Sequence, residues 1–486
     1  MLEQTLVVLF FAPLVASLIC LATRKPRTAE YATLAASLIV LLSAIPVLSW
    51  SLHHRSMYWR NYIIVDDFGA WVMLCVAVVY LLSTLYSIGY MRLLDEDERL
   101  PRFYALFSGF ALTMLVACVM NNIGVYWIAI ELTTLVSTFL VGFEQEAEST
   151  EAAWKYIVVV SAGISLALLG TVLLYWGGSF VLGATYQMTW SNIRTAGPKI
   201  YPPLLSVSFL LVLVGYGTKA GLVPMHTWLP DAHSESPAPV SAMLSGALLN
   251  TAMMGIARFL SIVNVTSVRH FAHTAVVSFG ILSFVVAALF ITRQTGVKRL
   301  MAYSSVEHLG VQALGLGFGG ALGIAGTLYH MLNHSLNKSL MFFGAGNAMQ
   351  GYQSKEMDGM RGVLKAFPVT GCLWLAGAVA IAGAPPFGLF LSEFTILRAG
   401  LAAYGWAVFL FLVFLIVVFI SFLAHFRRMY FARTHEAPAK ALTGTFWRTL
   451  PMWLAFLPLL LLGVWWPHTL WEAFTRIAAE LGGGLP

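Results

Sequence analysis

The chain has 486 residues, 59% of them hydrophobic and only 10% charged, whereas an ordinary soluble domain carries roughly a quarter charged residues. That excludes a water-soluble globule, and a mean hydropathy of +0.79 spread over apolar runs from Leu6 to Trp466 predicts an all-α polytopic membrane protein. The net charge of +6 implies no nucleic-acid partner, because the Lys and Arg residues are scattered through short polar breaks and form no basic stripe.

A bilayer core of about 30 Å takes roughly 20 apolar residues per helix. On that ruler fourteen spans are predicted, at 2–23, 31–51, 68–90, 103–120, 123–142, 154–176, 204–222, 238–262, 271–292, 299–318, 321–347, 367–402 with an interruption, 404–425 and 449–467. The first is not read as a cleaved signal peptide: its start, MLEQ, carries Glu3 and no positive charge, and Arg24, Lys25 and Arg27 follow it. An uncleaved helix with its N-terminus outside is expected. Alternating from there, the inside loops gather Arg24, Lys25, Arg27, Arg92, Arg99, Arg102, Arg293, Lys298, Arg299, Lys355, Arg361, Lys365, Arg427, Arg428, Arg433, Lys440 and Arg448, against Arg55, Arg60, Arg194, Lys199, Arg269 and Arg476 outside. This bias puts both termini outside. The acidic run Asp95 to Glu98 reads as a solvated inside loop or a docking surface for a soluble partner. The four cysteines, Cys20, Cys75, Cys118 and Cys372, lie far apart in apolar segments without CxxC spacing, indicating neither an iron–sulfur cluster nor a disulfide framework.

A charge at helix mid-depth costs about 2.5 to 3.5 kcal/mol on insertion scales, so each such residue is a functional candidate by default. In chain order these are Glu131 in span five, Lys155 in span six, Lys219 in span seven, Glu307 in span ten, Lys338 in span eleven and Glu393 in span twelve. Glu131 and Lys219 also admit a purely structural reading, a buried ion pair that fixes packing. Gly215, Gly217, Gly221 and Pro224 surround Lys219, while Gly383, Pro385, Pro386 and Gly388 precede Glu393, so both helices are expected to break there and free carbonyls. Paired interrupted helices are the best sequence pointer to a transport site. The stretch HTWLPDAHSESPAP, with His226, Asp231, His233 and Glu235, reads as a loop and helix cap. Glu307, in SSVEHLG, has local polar groups that also permit plain interhelical hydrogen bonding. GLGFGG at Gly315 to Gly320 follows an apolar helix without βαβ context and does not indicate nucleotide binding.

Span eleven puts His330, His334 and Lys338 at i, i+4, i+8 on one helix face. A His-x3-His pair can ligate a metal, but an ammonium one turn on repels a divalent cation, and no third acidic or thiol ligand is near in sequence. A proton relay fits better, with polar packing between helices as the alternative. Lys219 and Glu393, Lys155 and His330, and Glu131 and Glu307 are each separated by roughly 175 residues, an offset that covers five helices, and an odd number of helices inverts the second copy. Two inverted five-helix repeats are therefore expected: 1–100 holds helices one to three, 101–265 the first repeat, 266–430 the second, and 431–486 an inside loop, helix fourteen and a short outside tail.

At YWIAIELTTL, GYGTKAGLVPMHTWLPDAHSESPAPVSAMLSGALL, QTGVKRLMAYSSVEHLG, HSLNKSLMFF and PPFGLFLSEF the chain resembles the antiporter-like membrane subunits shared by NADH:quinone oxidoreductase (complex I), multisubunit cation/proton antiporters and group-four membrane-bound hydrogenases. The likeness runs over about residues 60–430, and VKRLMAYSSVEHLG and GAPPFGLFLSEF are especially similar to the hydrogenase-four component F type. The resemblance implies fourteen core helices, inverted repeats, and broken helices seven and twelve. It also implies that Glu131, Lys219 and Glu393 are the family's charged residues of helices five, seven and twelve, and that His334 and Lys338 are its polar positions of helix eleven. One departure is Asn250 in helix eight, where many relatives carry Lys or His.

Proton translocation, alone or in exchange for Na+, is the function expected from this resemblance and from the buried axis Glu131, Lys155, Lys219, Glu307, His330, His334, Lys338 and Glu393. A direct Glu131–Lys219 pair at about 4 Å would be worth roughly 4 kcal/mol at an effective dielectric near 20. No flavin, nickel or iron–sulfur ligand set is visible in the sequence, so redox chemistry is expected on partners: other membrane subunits and a peripheral iron–sulfur hydrogenase or dehydrogenase module. The chain ends soon after span fourteen, which fits a core-type subunit rather than one with a long lateral helix. The cell inner membrane is the expected location. The competing expectation is a membrane subunit of a non-redox transporter, such as one for inorganic carbon uptake.

Overall fold

The computed structural model describes residues 2–53, 56–59, 61–94, 98–431, 442 and 444–482. The loop residues Arg55, Arg60, Asp95 to Asp97, Arg433 and Lys440 lie outside the described residues. The chain is helical almost throughout, because a backbone in lipid must satisfy its own hydrogen bonds. The first unit comprises α1 (Leu2–Ala22), α2 (Pro26–His53) and α3 (Asp67–Met91), with a short hairpin, β1 (Met57–Trp59) and β2 (Ile63–Val65), in register Met57 to Val65. Asp66 caps α3 by accepting from the Gly69 amide at 2.7 Å. The same carboxylate receives both terminal nitrogens of Arg258, at 2.8 and 2.9 Å.

Next come α4 (Leu100–Ala117), α5 (Ile123–Val141), α6 (Ala147–Leu182), the short α7 (Trp190–Ala196) and α8 (Pro202–Ala220). After a gap follow α9 (Trp228–Glu235) and α10 (Ala238–Met243); a π-turn at Leu244–Leu248 joins α10 to α11 (Leu249–Val263), and from Ala238 to Val263 every residue but Ser261 is buried. The stretch expected to be loop and cap after His226 is therefore largely helical. Its apolar anchors explain this: Trp228 is buried and donates its indole N–H to the Thr218 carbonyl at 2.8 Å, and His233 stacks on Phe342.

The second half is α12 (Arg269–Ile291), α13 (Val297–Phe318), α14 (Gly320–Tyr352), α15 (Val363–Ala366), α16 (Pro368–Ile381), α17 (Gly388–Gly400) and α18 (Gly405–Tyr430). The chain continues with α19 (Thr445–Val464) and α20 (His468–Glu480). Where a short tail was expected, α20 packs back on the bundle, with Phe474 edge-on to Trp71 at 4.8 Å between centroids.

Among the described residues eleven helices are long and apolar enough to cross a membrane. The helices over predicted spans ten, eleven and twelve fall below that measure for a physical reason. α13 and α14 bury Glu307, His308, Gln312, His330, Asn333, His334 and Lys338, and the last span is divided into the half-helices α16 and α17. Close backbone approach holds each half together, as small residues do in membrane bundles. A Cβ at Gly163 of α6 would lie 2.5 Å from Thr218 Cβ of α8, and one at Gly310 of α13 would lie 2.8 Å from the Gly280 carbonyl of α12.

Candidate functional site

Gly221 ends α8 in the left-handed region (φ 79°), where an added Cβ would strike Leu229 at 2.3 Å, so the chain turns there before resuming as α9. Lys219 occupies the last turn of α8, where unpaired carbonyls and the negative helix end favour a cation. Its side chain is fully buried. The ammonium donates to Thr134 Oγ1 at 2.8 Å and to the Tyr156 hydroxyl at 2.9 Å. Thr134 Oγ1 in turn donates to Glu131 Oε2 at 3.4 Å, and Ser161 Oγ holds Glu131 Oε1 at 2.7 Å. Tyr156 also meets Ser137 Oγ at 2.7 Å.

The expected direct pair is thus not formed: no Glu131 oxygen lies within 4.0 Å of the Lys219 nitrogen, because the Thr134 hydroxyl, one turn along α5 from Glu131, occupies the space between them. Amine, hydroxyl and carboxylate form a line along which each group donates to the next. Lys155, by contrast, lies in the third turn of α6 with half of its side chain exposed. It pairs with Glu151 at 2.7 Å and Asp231 at 3.2 Å, apart from the cluster. The buried group on that turn is its neighbour Tyr156.

The second cluster is built by α13, α14 and α17. Lys338 donates to the Met301 carbonyl at 3.0 Å and to Ser304 Oγ at 2.8 Å, one turn before Glu307. Both Glu307 oxygens are buried without a hydrogen-bond partner among the described protein atoms. His308 Nδ1 lies 3.1 Å from His330 Nε2 and 3.7 Å from Glu393 Oε1, and His330 Nδ1 lies 2.9 Å from Ser392 Oγ. The His334 ring stands 5.5 Å from the His308 ring. Glu393 fits a notch at the break between α16 and α17, where a Cβ on Gly383 (φ 70°) would lie 2.4 Å from its Oε2. The premise that no third ligand accompanies the histidines of α14 holds along the chain but fails in space. His308, His330 and Glu393 each offer a donor atom, all within 4.8 Å of one another.

Between the clusters, beside the π-turn, Asn250 donates to Ser335 Oγ at 3.0 Å and accepts from Gln312 Nε2 at 3.0 Å. The structure therefore gathers Glu131 and Lys219 into one cluster and Glu307, His330, His334, Lys338 and Glu393 into another, and leaves Lys155 outside both. Sequence reasoning missed Thr134, Tyr156, His308 and Ser392. One signal for Tyr156 was present: it precedes His330 by the same spacing that separates Lys219 from Glu393.

Residues 120–421 match the family model described as NADH:quinone oxidoreductase/Mrp antiporter, TM. The chain is 37% identical over 348 residues to the hydrogenase-4 component F homolog of Methylacidiphilum infernorum (isolate V4), covering 70% of this chain and 73% of that protein. It is 30% identical over 404 residues to NADH-quinone oxidoreductase subunit L of Neisseria meningitidis serogroup B (strain ATCC BAA-335 / MC58), covering 80% of this chain and 56% of that longer protein. Alignment with hydrogenase-4 component B of Escherichia coli (strain K12), 29% identical, spans 68% of this chain and about half of that one, 49%. In fold it is similar to a chain of the membrane-bound sulfane sulfur reductase, an archaeal respiratory membrane complex, with a TM-score of 0.87 at 23% identity over 99% of this chain and 97% of that one. The Mrp complex from Dietzia sp. DQ12-45-1b gives 0.83 at 18% identity over the same shares. With the family model covering more than half of its length and a polytopic helical fold to match, the chain belongs to the NADH:quinone oxidoreductase/Mrp antiporter transmembrane family.

Proposed function

We propose that this chain is the proton-translocating, antiporter-like subunit of a redox-driven membrane complex, moving protons alone or in exchange for Na+. The observation that carries the reading is the donor line from Lys219 through Thr134 to Glu131, set on a broken helix inside the bundle. In this reading a proton loads Lys219 from the Glu131 side and reaches the α13–α14–α17 cluster past the amides of Asn250 and Gln312. These amides do not titrate, so the crossing relies on hydrogen-bonded hydroxyls and water. His330, His334, Lys338 and Glu307 carry the proton on, and Glu393 releases it at the second break. His308 and Ser392 join the relay, and Lys155 acts only as a surface ion pair at its mouth.

The architecture proposed with it is fourteen crossings, counting α13, α14 and the α16–α17 pair with the eleven apolar spans, arranged as two inverted five-helix repeats. The α8–α9 and α16–α17 breaks, each just beyond or before a buried charge, support that symmetry. We place the chain in the cell inner membrane with both termini outside, beside other membrane subunits and a peripheral redox module that holds the redox cofactors. Relatives named for hydrogenase-4 and NADH-quinone oxidoreductase support those partners.

The test is Glu131→Gln in the purified complex, reconstituted into vesicles with a pH-sensitive dye. Assembly at normal abundance with loss of proton uptake is expected. Uptake at the parental rate refutes the reading, and recovery of the chain with one large soluble partner lacking redox clusters favours inorganic carbon uptake instead.

A further inference from the structure

We propose that His308, His330 and Glu393 form an inhibitory site for a borderline-soft divalent cation of the Zn2+ class, lodged in the relay. This rests on the proton-transfer reading for its consequence, although the site itself is argued from geometry alone. Zn2+ takes imidazole nitrogen and carboxylate oxygen at about 2.0 to 2.2 Å, and three protein ligands plus one open position are common. Tetrahedral donors around such an ion stand about 3.3 Å apart. Here His308 Nδ1 is 3.1 Å from His330 Nε2 and 3.7 Å from Glu393 Oε1, so two of the three donor pairs stand near that spacing, and all three donor atoms, from three different helices, lie within 4.8 Å of one another.

Two further observations aim these groups at a cation. Both Glu393 oxygens are buried with no hydrogen-bond donor among the described protein atoms; Oε2 sits in the Gly383 notch, and Oε1 faces His308 with its lone pairs unshared. Ser392 Oγ donates its own hydrogen to the Leu389 carbonyl at 2.8 Å and is left to accept from His330 Nδ1 at 2.9 Å. That fixes His330 with its proton on Nδ1 and a free lone pair on Nε2, the arrangement by which a supporting hydrogen bond orients a metal-ligating histidine. His308 Nε2 has no hydrogen-bond partner among the described protein atoms. It can take the ring's proton when Nδ1 turns to the metal, so binding requires a tautomer shift and not loss of a proton from that ring.

The Lys338 ammonium is directed away from the three donors, toward Met301 and Ser304 of α13. Its charge weakens the site without occupying it. A bound ion would remove His308, His330 and Glu393 from proton traffic at one stroke.

The experiment uses the intact purified complex, equilibrated with Co2+ and then titrated with Zn2+. One tetrahedral cobalt spectrum per chain, displaced by zinc, is expected. X-ray absorption should then show a shell of two imidazole nitrogens and one or more oxygens at about 2.0 Å. His330→Asn and Glu393→Gln should abolish the spectrum, and Ser392→Ala, which keeps all three ligands, should weaken zinc binding about 10- to 100-fold. Vesicles made with the same complex should stop taking up protons when zinc saturates the site and recover with chelator. Absence of the tetrahedral signal in the unmodified complex, or its persistence at full strength in His330→Asn, overturns the site. Binding there with undiminished proton uptake overturns the inhibition. A complex that binds zinc through these ligands and moves no protons at all leaves the site standing and refutes the transport reading instead.

Discussion

Replacing Thr134 by valine isolates the hydroxyl that stands between Glu131 and Lys219. Valine keeps the branch at Cβ and nearly the same volume, so the buried contacts of α5 survive. What disappears is the acceptor 2.8 Å from the Lys219 ammonium and the donor 3.4 Å from Glu131 Oε2. Glu131 retains Ser161 at 2.7 Å and Lys219 retains Tyr156 at 2.9 Å, so neither charge is abandoned and assembly should be near normal. A hydrogen bond to a charged group contributes about 1.5 to 3 kcal/mol net. Each 1.4 kcal/mol or so in a barrier is tenfold in rate, so proton uptake should fall by roughly one to two orders of magnitude. Serine at the same position restores the hydroxyl and should restore most of the rate. Vesicles carrying equal amounts of complex, read with a pH-sensitive dye, decide the matter. Parental uptake by the valine variant would refute the donor line and direct attention to Tyr156 and Ser137.

Lys219→Arg should assemble and not transport, because a guanidinium keeps its charge and gives up no proton in the accessible range; substantial uptake would show that Lys219 is not the carrier. Glu393→Ala should impair transport more severely than Glu307→Ala, since of the two only Glu393 adjoins a helix break and meets His308; equal, near-normal rates in matched vesicles would refute the ranking. Arg258→Leu strands the Asp66 carboxylate and should destabilise the chain by about 3 to 5 kcal/mol, seen as reduced complex abundance in membranes, whereas Arg258→Leu combined with Asp66→Asn should recover part of it. Gly163→Ala should lower the melting temperature of the purified complex, because the new methyl would sit 2.5 Å from Thr218 Cβ and overpacking costs about 1 to 3 kcal/mol.

The eleven long apolar helices and both helix breaks were legible because their signals are local: apolar length, and glycine and proline clustered beside a charge. The partners of those charges were not, because they are set by which helix faces which. Lys155 drew attention as a formal charge in an apolar segment, yet one residue along a helix turns the side chain by about 100°. That step puts Lys155 on the exposed side with Asp231 and Tyr156 against Lys219. Glu307 and His308 are split by the same step, so that Glu307 lies on the Lys338 side while His308 meets His330 and Glu393. Hydroxyls such as Thr134 and Ser392 carry no charge to flag them in an apolar run and become significant only once two charged helices are placed on either side.

The repeat spacing, applied to buried groups instead of charged ones, aligns Tyr156 with His330 and Lys219 with Glu393. In the repeat we propose, one half then sets an amine against a phenol and the other a carboxylate against an imidazole, each beside a broken helix. In the relay we propose, Lys219 and Glu393 each become more negative by one charge on releasing a proton. In a low-dielectric interior, release from one therefore opposes release from the other, even though Asn250 and Gln312 between them hold no proton to exchange. A Lys219→Gln change, which fixes the first site as neutral, should accordingly leave the Glu393 carboxyl's infrared titration at a different pH from the parent complex, and an unmoved carboxyl band would show that the two halves do not sense each other's charge.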